Sequence, residues 1–454
     1  MMFYVVKAMM FNIVNDSLKM EWFYMTEVKF QPCTKGLLGE MEVPGDKSIS
    51  HRAIMFGSMA TGTTKITNFL QSDDCLHTLE AFRSLGVEIE HKESSITIYG
   101  KGIDAFKEPT VPVYFGNSGT AARLMLGLLA SLPFYTVIHG DPHLTIRPMD
   151  RVIVPLKEMG ASIDGRGEGS LLPLGIRGKQ LKGIDYILPV KSAQVKSAIL
   201  IAGLLADGVT KVTEIDTSRD HTERMLTAFG AEVHVEGLEI SIQGKQKLTG
   251  TNVHVPGDIS SAAFFIVAAA IVPNSTLTIK NVGLNETRTG IIDVLQQMGG
   301  NITISNEQMI GGEHFGDVTV KHSHLRGIEI NGKIIPRLID EIPIIALLAT
   351  QADGKTVITD AEELRVKETD RIDATVDVLT TLGAKIEPLE DGMIIHGNTN
   401  LSGGKVKSYS DHRIAMMGAI ASLIAKDEVI LDDDSSISVS YPNFLEDLHQ
   451  LTQS

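Results

Sequence analysis

Cysteine is scarce in this chain. Among 454 residues there are two, Cys33 and Cys75, far apart and outside any C-x-x-C pair. That count excludes a disulfide framework and a thiolate zinc site, and it suits a reducing, cytoplasmic location. Positive charge is the minority, 41 Lys and Arg against 56 Asp and Glu, for a formal net charge of -15. Nucleic acid and anionic membrane surfaces are therefore not expected as partners. Any anionic ligand has to be held by cations gathered in one place against that overall field. Long apolar runs are missing too. Met1 to Val14 is apolar but too short to span a bilayer, and it lacks the marks of a signal or transit peptide. Residues 1–24 read as an extension upstream of a domain that starts near Met25. With 43% hydrophobic residues the chain has a globular composition and room for two or three cores.

What the sequence does have is a repeat. An aliphatic or aromatic residue, then Gly, then a small residue leads into a strand at Leu85-Gly86-Val87, Met159-Gly160-Ala161, Phe229-Gly230-Ala231, Met298-Gly299-Gly300 and Leu382-Gly383-Ala384. Each follows an amphipathic helical pattern, such as Thr222 to Phe229 or Thr369 to Leu382, and glycine there suits the left-handed position that ends a helix. A second marker is a helix apolar almost all round, and so buried, entered through small polar or charged residues. Such helices begin near Ser48, Gly119, Ser192, Asp258, Asp340 and Asp411. The repeat length of roughly 70–80 residues implies six units. The sixth lacks trailing strands, which the N-terminal strands of Glu27 to Glu42 are expected to supply. Val43-Pro44-Gly45-Asp46 has a twin in Val255-Pro256-Gly257-Asp258, with three units between the twins and three after. The expected architecture is α/β, with two similar domains: 46–257, and 258–454 completed by strands in 25–45. The chain crosses between them twice, which makes a hinge.

Cationic and polar residues collect at the buried-helix starts. Gly45-Asp46-Lys47-Ser48-Ile49-Ser50-His51-Arg52 places Ser48 and Arg52 four apart on one helical face, at an N-terminus that already favours anions. Gly116-Asn117-Ser118-Gly119-Thr120, Arg147-Pro148-Met149-Asp150-Arg151 and Ser192-Ala193-Gln194 follow in the first half. Asp340, Lys367-Glu368-Thr369-Asp370-Arg371 and Asp411-His412-Arg413 follow in the second. Most have a plainer alternative: a capped helix with a surface Arg, a polar loop, a proline at the first helical position, a Ser N-cap with a surface Gln, an Asp N-cap, or a salt-bridge ladder joining Lys367 and Arg371 along a helix. Asp411-His412-Arg413 is harder to read as a solvated face, because the helix it heads is buried. Taken together, Lys47, Arg52, Arg147, Lys367, Arg371 and Arg413 with the carboxylates Asp340 and Glu368 suit two small anionic substrates.

GDKSISHRA, GNSGTAARLM, IRPMDRV, SAQVKSA, PGDISSAAFF, LIDEIPIIA, RVKETDRI and SDHRIAMM, in that order, resemble the 5-enolpyruvylshikimate-3-phosphate synthase family from about residue 26 onward. The resemblance implies two domains of three βαβαββ units each, wrapped around buried helices. It also implies transfer of the enolpyruvyl group of phosphoenolpyruvate to the 5-hydroxyl of shikimate 3-phosphate by a monomer, with neither metal nor organic cofactor. Carried over motif by motif, Ser48, Arg52, Ser192, Ala193, Gln194, Asp340 and Lys367 bind shikimate 3-phosphate, and Lys47 touches both substrates. Gly119, Arg147, Gln194, Arg371 and Arg413 hold phosphoenolpyruvate. Asp340 is the proton acceptor, with Glu368 and Lys47 as the other acid–base groups. Lys47, set among other cations, is expected to have a lowered pKa. One departure is Ile437-Ser438-Val439-Ser440-Tyr441-Pro442, which carries no cation where some members have a lysine before the aromatic-Pro pair. UDP-N-acetylglucosamine enolpyruvyl transferases share the donor but usually carry a cysteine in the loop before Arg147, and His139 to Ile146 has none. A non-catalytic sugar-phosphate sensor on the same scaffold would have lost Asp340, Glu368 and Lys47, and all three are present.

Overall fold

A computed structural model of the chain describes residues 27–453; the expectations for residues 1–24 lie outside these. Helices and sheets alternate throughout. In chain order the helices come in pairs: α1 (Lys47–Met59) and α2 (Asp73–Ser84), α3 (Gly119–Leu129) and α4 (Asp150–Glu158), α5 (Ala193–Leu205) and α6 (His221–Ala228). They continue as α7 (Ile259–Ile271) and α8 (Gly290–Gln297), α9 (Ile342–Thr350) and α10 (Arg371–Thr381), α11 (His412–Ala421) and α12 (Phe444–Gln453). The odd-numbered helices are buried almost all round; α7 and α9 have no exposed residue. Even-numbered helices keep a wet face. Gly86, Gly160, Gly230, Gly299 and Gly383 follow the helix ends with φ of 86, 101, 91, 90 and 93°. These backbone values are ones that glycine adopts without strain.

Six sheets are formed among the described residues. Five repeat one pattern: a parallel pair, a third strand antiparallel to it, and a hairpin return. In the second unit, for instance, Val113–Tyr114 runs parallel to Tyr135–His139, which pairs antiparallel with Leu171–Arg177, and that strand with Ser162–Gly165. The sixth sheet has three strands. Val28–Phe30 lies antiparallel to Val429–Leu431, which runs parallel to Gly404–Val406.

The N-terminal strands therefore divide their work, against the expectation that both would complete the sixth unit. Only Val28–Phe30 does so. Leu38–Glu42 instead pairs parallel with Thr276–Gly283 and opens the fourth unit. Asn252–His254 does the equivalent for the first unit, lying parallel to Thr61–Thr67. The reason is symmetry: each strand just before a Val-Pro-Gly-Asp segment sits in one lobe, and the helix just after it sits in the other. Two apolar cores result. One runs from Ile49 to Val255, and the other joins Val28–Val43 to Ile259–Leu451.

The two crossing segments hold each other. Asp46 N donates to Pro256 O at 2.8 Å, and Asp258 N to Pro44 O at 2.9 Å. A Cβ on Gly45 would lie 2.1 Å from Asn68 O, so the close approach requires glycine. Asp46 caps α1 and Asp258 caps α7. Buried Arg288 pairs with both, through Nη1 to Asp46 and through Nη2 to Asp258 Oδ1 at 2.9 Å, and also donates to Ser260 Oγ at 2.6 Å. Arg288→Met leaves two buried carboxylates without their counter-charge and is expected to destabilise the fold by about 3–5 kcal/mol. Denaturant titration checks this; a loss below about 1 kcal/mol would contradict the role given to Arg288.

Candidate active site

The starts of the odd-numbered helices face one another across the junction of the lobes, and side chains knit them together. Lys47 N, at the start of α1, donates to Asp258 Oδ2 at 3.1 Å, while its ammonium pairs with Asp74 of α2. At α3, Ser118 caps the helix; Arg123 Nη1 donates to Gln194 Oε1 at 2.8 Å, and Gln194 Nε2 to Thr120 Oγ1 at 3.0 Å. Ser192 caps α5 and Ala193 is its first residue. A Cβ on Gly119 would come within 3.2 Å of the Arg147 guanidinium carbon, which leaves that arginine room beside the helix end. Arg147 reaches across to Glu368 at 3.8 Å.

The second lobe supplies a denser network. Arg371 is buried and touches three carboxylates: Asp411 at 2.7 Å, Glu368 at 2.6 Å and Asp340 at 3.1 Å. Asp340 also takes Arg219 from the first lobe. Arg413 lies 3.6 Å from Glu341, which accepts from Ser260 Oγ and so leads back to Arg288. The Nε atoms of Arg147 and Arg413 are buried without a hydrogen-bond partner among the described residues, so each keeps an N–H for a ligand.

Several local expectations change. Asp340 does not cap α9. Glu341 occupies that position, its side chain making no capping bond to the helix, and Asp340 is drawn away by two guanidinium groups. Lys367 and Arg371 do not share a helix face, because α10 starts only at Arg371, capped by Asp370. Pro148 is not at the first helical position either; α4 begins at Asp150, after Met149. Arg52 sits behind the cleft wall, donating to Ser48 O at 3.0 Å, Thr222 Oγ1 at 2.7 Å and Ser197 Oγ at 2.8 Å. Burial lowers it to about 10, which leaves it charged at neutral pH.

The family model for EPSP synthase (3-phosphoshikimate 1-carboxyvinyltransferase) matches residues 33–448. A 3-phosphoshikimate 1-carboxyvinyltransferase of Oceanobacillus iheyensis is 57% identical over 427 residues, which is 94% of this chain and 100% of the relative. One of Bacillus cytotoxicus is 60% identical over 417 residues, covering 92% of this chain and 98% of the relative. A solved EPSP synthase structure from Acinetobacter baumannii matches with a TM-score of 0.86 at 46% identity, covering 94% of this chain and 98% of that one. The chain belongs to the EPSP synthase family.

In this member of the EPSP synthase family the electrostatics of the cleft reverse one expectation. Burial pulls the Lys47 ammonium down, but Asp74 more than offsets it, so Lys47 ends above its ordinary value rather than below. The lysine that is lowered is Lys367, where burial outweighs the attraction of Asp340 and Glu363. Asp340 and Glu368 are both half-buried, and desolvation alone would raise them. Arg219, Arg413, Lys367 and Arg371 around Asp340, and Arg371 and Arg147 around Glu368, hold both well below the usual carboxylate range. The sequence motifs did not point to Arg219, Asp74, Glu341 or the Arg371 contact of Asp411. Arg219 lies in Asp216-Thr217-Ser218-Arg219-Asp220, a turn ahead of the amphipathic α6. A search confined to buried-helix starts passes over it.

Because the folded value of Glu368 is depressed, its ionised form contributes in full above the ordinary 4.5, and the contribution is lost as pH falls through the folded value. Glu368→Gln is expected to cost about 1.5 kcal/mol at neutral pH, the scale of a hydrogen bond to a charged group. The gap from wild type should close as pH falls below 4.5. Denaturation curves between about pH 3 and pH 7 test this, and a pH-independent gap would contradict it.

Proposed function

We propose that this cleft carries out the EPSP synthase reaction, moving the enolpyruvyl group of phosphoenolpyruvate onto the 5-hydroxyl of shikimate 3-phosphate with release of phosphate. The observation that carries the reading is the meeting of Lys47, Arg147, Asp340, Glu368, Arg371 and Arg413, drawn from both lobes, in one network. Lys47 N leads through Asp258, Arg288, Ser260 and Glu341 to Arg413. Arg413 N leads through Asp411 to Arg371, which holds Asp340 and Glu368, the latter paired with Arg147. Arg147 and Arg413, each with a buried Nε still to be paired, are assigned with Gly119, Gln194, Lys47 and Arg371 to phosphoenolpyruvate. Ser48, Ser192, Ala193, Gln194, Lys367 and Asp340, with Arg52 behind them, are assigned to shikimate 3-phosphate.

The chemistry has two proton demands. Carbon 3 of the donor must gain a proton, which builds positive charge at carbon 2, and the attacking hydroxyl must lose one. Asp340 is assigned to accept the hydroxyl proton, and Glu368, protonated once the substrates draw its arginines away, to deliver one to carbon 3, after which its carboxylate faces the charge at carbon 2. A depressed carboxylate is a weak base, so substrate binding has to change its surroundings. The phosphates and the donor carboxylate compete for the guanidinium groups that hold Asp340 and Glu368 down. As those arginines turn to the substrates, the two carboxylates lose counter-charge and gain proton affinity. The tetrahedral adduct then returns a carbon-3 proton to the Glu368 carboxylate and expels phosphate from carbon 2, which restores the carbon 2–carbon 3 double bond as the enol ether of the product. Lys47, raised by Asp74, suits phosphate binding better than proton donation. Closure of the two lobes, flexing at the paired crossings, would keep water from the intermediate. We further propose that one chain suffices, since both halves of the network come from it. The two free thiols, Cys33 and Cys75, accord with a reducing cytoplasm.

Asp340→Ala is expected to abolish turnover while shikimate 3-phosphate binding stays within about tenfold, because the loss is of proton transfer. Phosphate-release assays and calorimetry read the two effects separately, and a near-normal kcat would refute the role. Arg413→Ala is expected to weaken phosphoenolpyruvate by roughly 2–4 kcal/mol, the scale of a lost buried charge pair. An unchanged KM for that substrate counts against it. Turnover of wild-type protein with shikimate 3-phosphate, and none with UDP-N-acetylglucosamine, tests the reading as a whole.

A further inference from the structure

Beneath the first-lobe wall of the cleft lies a second ionic cluster that the reaction does not use directly. Along α5, from Val195 to Leu205, the side chains are apolar apart from Lys196 and Ser197, and both of these are buried. Lys196 Nζ lies 2.9 Å from Glu214 Oε2 and 2.7 Å from Glu223 Oε1, with all three side chains less than a tenth exposed. Replacing such a buried pair by apolar side chains is often neutral or stabilising, so stability alone is a weak reason for it. Its connections give a better one. Glu214 Oε1 accepts from Ser218 Oγ and from Ser218 N at 3.2 Å, which fixes the turn that carries Arg219 to Asp340. Glu223 follows Thr222, whose hydroxyl takes Arg52 Nε at 2.7 Å and lies 2.7 Å from Ser197 Oγ. Arg52 itself has no carboxylate within salt-bridge distance among the described residues, and Glu223 is the leading charge that sustains its guanidinium.

We propose that Lys196 is a positioning residue for shikimate 3-phosphate, acting through Glu214 on the Ser218-Arg219 turn and through Glu223 on Arg52. The proposal rests on the functional reading above. One ammonium clamps two carboxylates on separate elements, the end of strand Val209–Thr213 and the first turn of α6, against α5, whose start carries Ser192, Ala193 and Gln194. Three segments of the acceptor side thus share one buried anchor.

Calorimetric titration of the whole chain with shikimate 3-phosphate alone, beside steady-state kinetics, tests it. Lys196→Met is expected to weaken that ligand about tenfold or more and to leave KM for phosphoenolpyruvate within about twofold, while Lys196→Arg restores part of the loss. Glu214→Gln, which keeps the Lys196–Glu223 pair, is expected to weaken it about threefold or more and decides the matter if Lys196→Met does not fold. Wild-type affinity in Lys196→Met and Glu214→Gln would overturn the proposal. So would an equal loss for both substrates, the mark of a merely structural role. If wild-type protein itself fails to bind shikimate 3-phosphate, the functional reading falls and this proposal with it; wild-type binding with indifferent variants removes this proposal alone.

Discussion

A helix with no polar face must be walled in by other protein along its whole length, and that constraint governs the rest of this molecule. Each odd-numbered helix is enclosed by its neighbours and by the sheets outside them, so its ends are the parts left for chemistry. At an N-terminal end the first backbone N–H groups lack intrahelical partners and carry partial positive charge. In α1, α3, α5, α7 and α11 a Ser or Asp caps part of that demand. Gathering such ends at the junction of two lobes creates an anion-seeking surface in a chain whose net charge is -15. Local field and global charge are decoupled because the cations are concentrated where the helices begin.

The cleft is nevertheless close to internal balance. Arg371 touches three carboxylates, Asp340 is shared between Arg219 and Arg371, and Lys47 is held by Asp74. A cluster of uncompensated guanidinium groups would be costly to pack, so the carboxylates serve the folded state first. They can serve the reaction second, because an anionic substrate replaces one counter-ion with another. The same exchange supplies the proton affinity that a depressed carboxylate lacks, so binding and activation become one electrostatic event.

Much of this was legible in the sequence because it follows from periodicity. All-round apolar helices, the Gly after five of the amphipathic helices and the doubled Val-Pro-Gly-Asp segment are local patterns with local causes, and residues near Lys47, Gly119, Gln194, Asp340 and Arg413 stand out as helix heads. Pairing across long separations is not local. Nothing around Lys47 announces Asp74, nearly thirty residues on, so the cations of its motif point to a lowered pKa where the distant carboxylate raises it. Nothing around Leu38–Glu42 announces Thr276–Gly283, so the repeat count alone does not place that strand in the fourth unit. Arg219 and Glu341 are silent in the sequence for the same reason: their importance lies in the partner, Asp340 or Arg413, and not in a motif of their own.

The exchange of strands at the two crossings bears on how the protein is made. Leu38–Glu42 emerges from the ribosome ahead of the entire first lobe, yet its sheet partner Thr276–Gly283 comes more than two hundred residues later. Val28–Phe30 waits longer still, for Val429–Leu431. The first lobe, whose core runs from Ile49 to Val255, can close on itself during synthesis. The second must keep Leu38–Glu42 unpaired until the first lobe has been made, and Val28–Phe30 until nearly the whole polypeptide is out. Vectorial translation therefore imposes a fixed order of assembly on two halves that look alike, and makes the later half the one more in need of protection from aggregation.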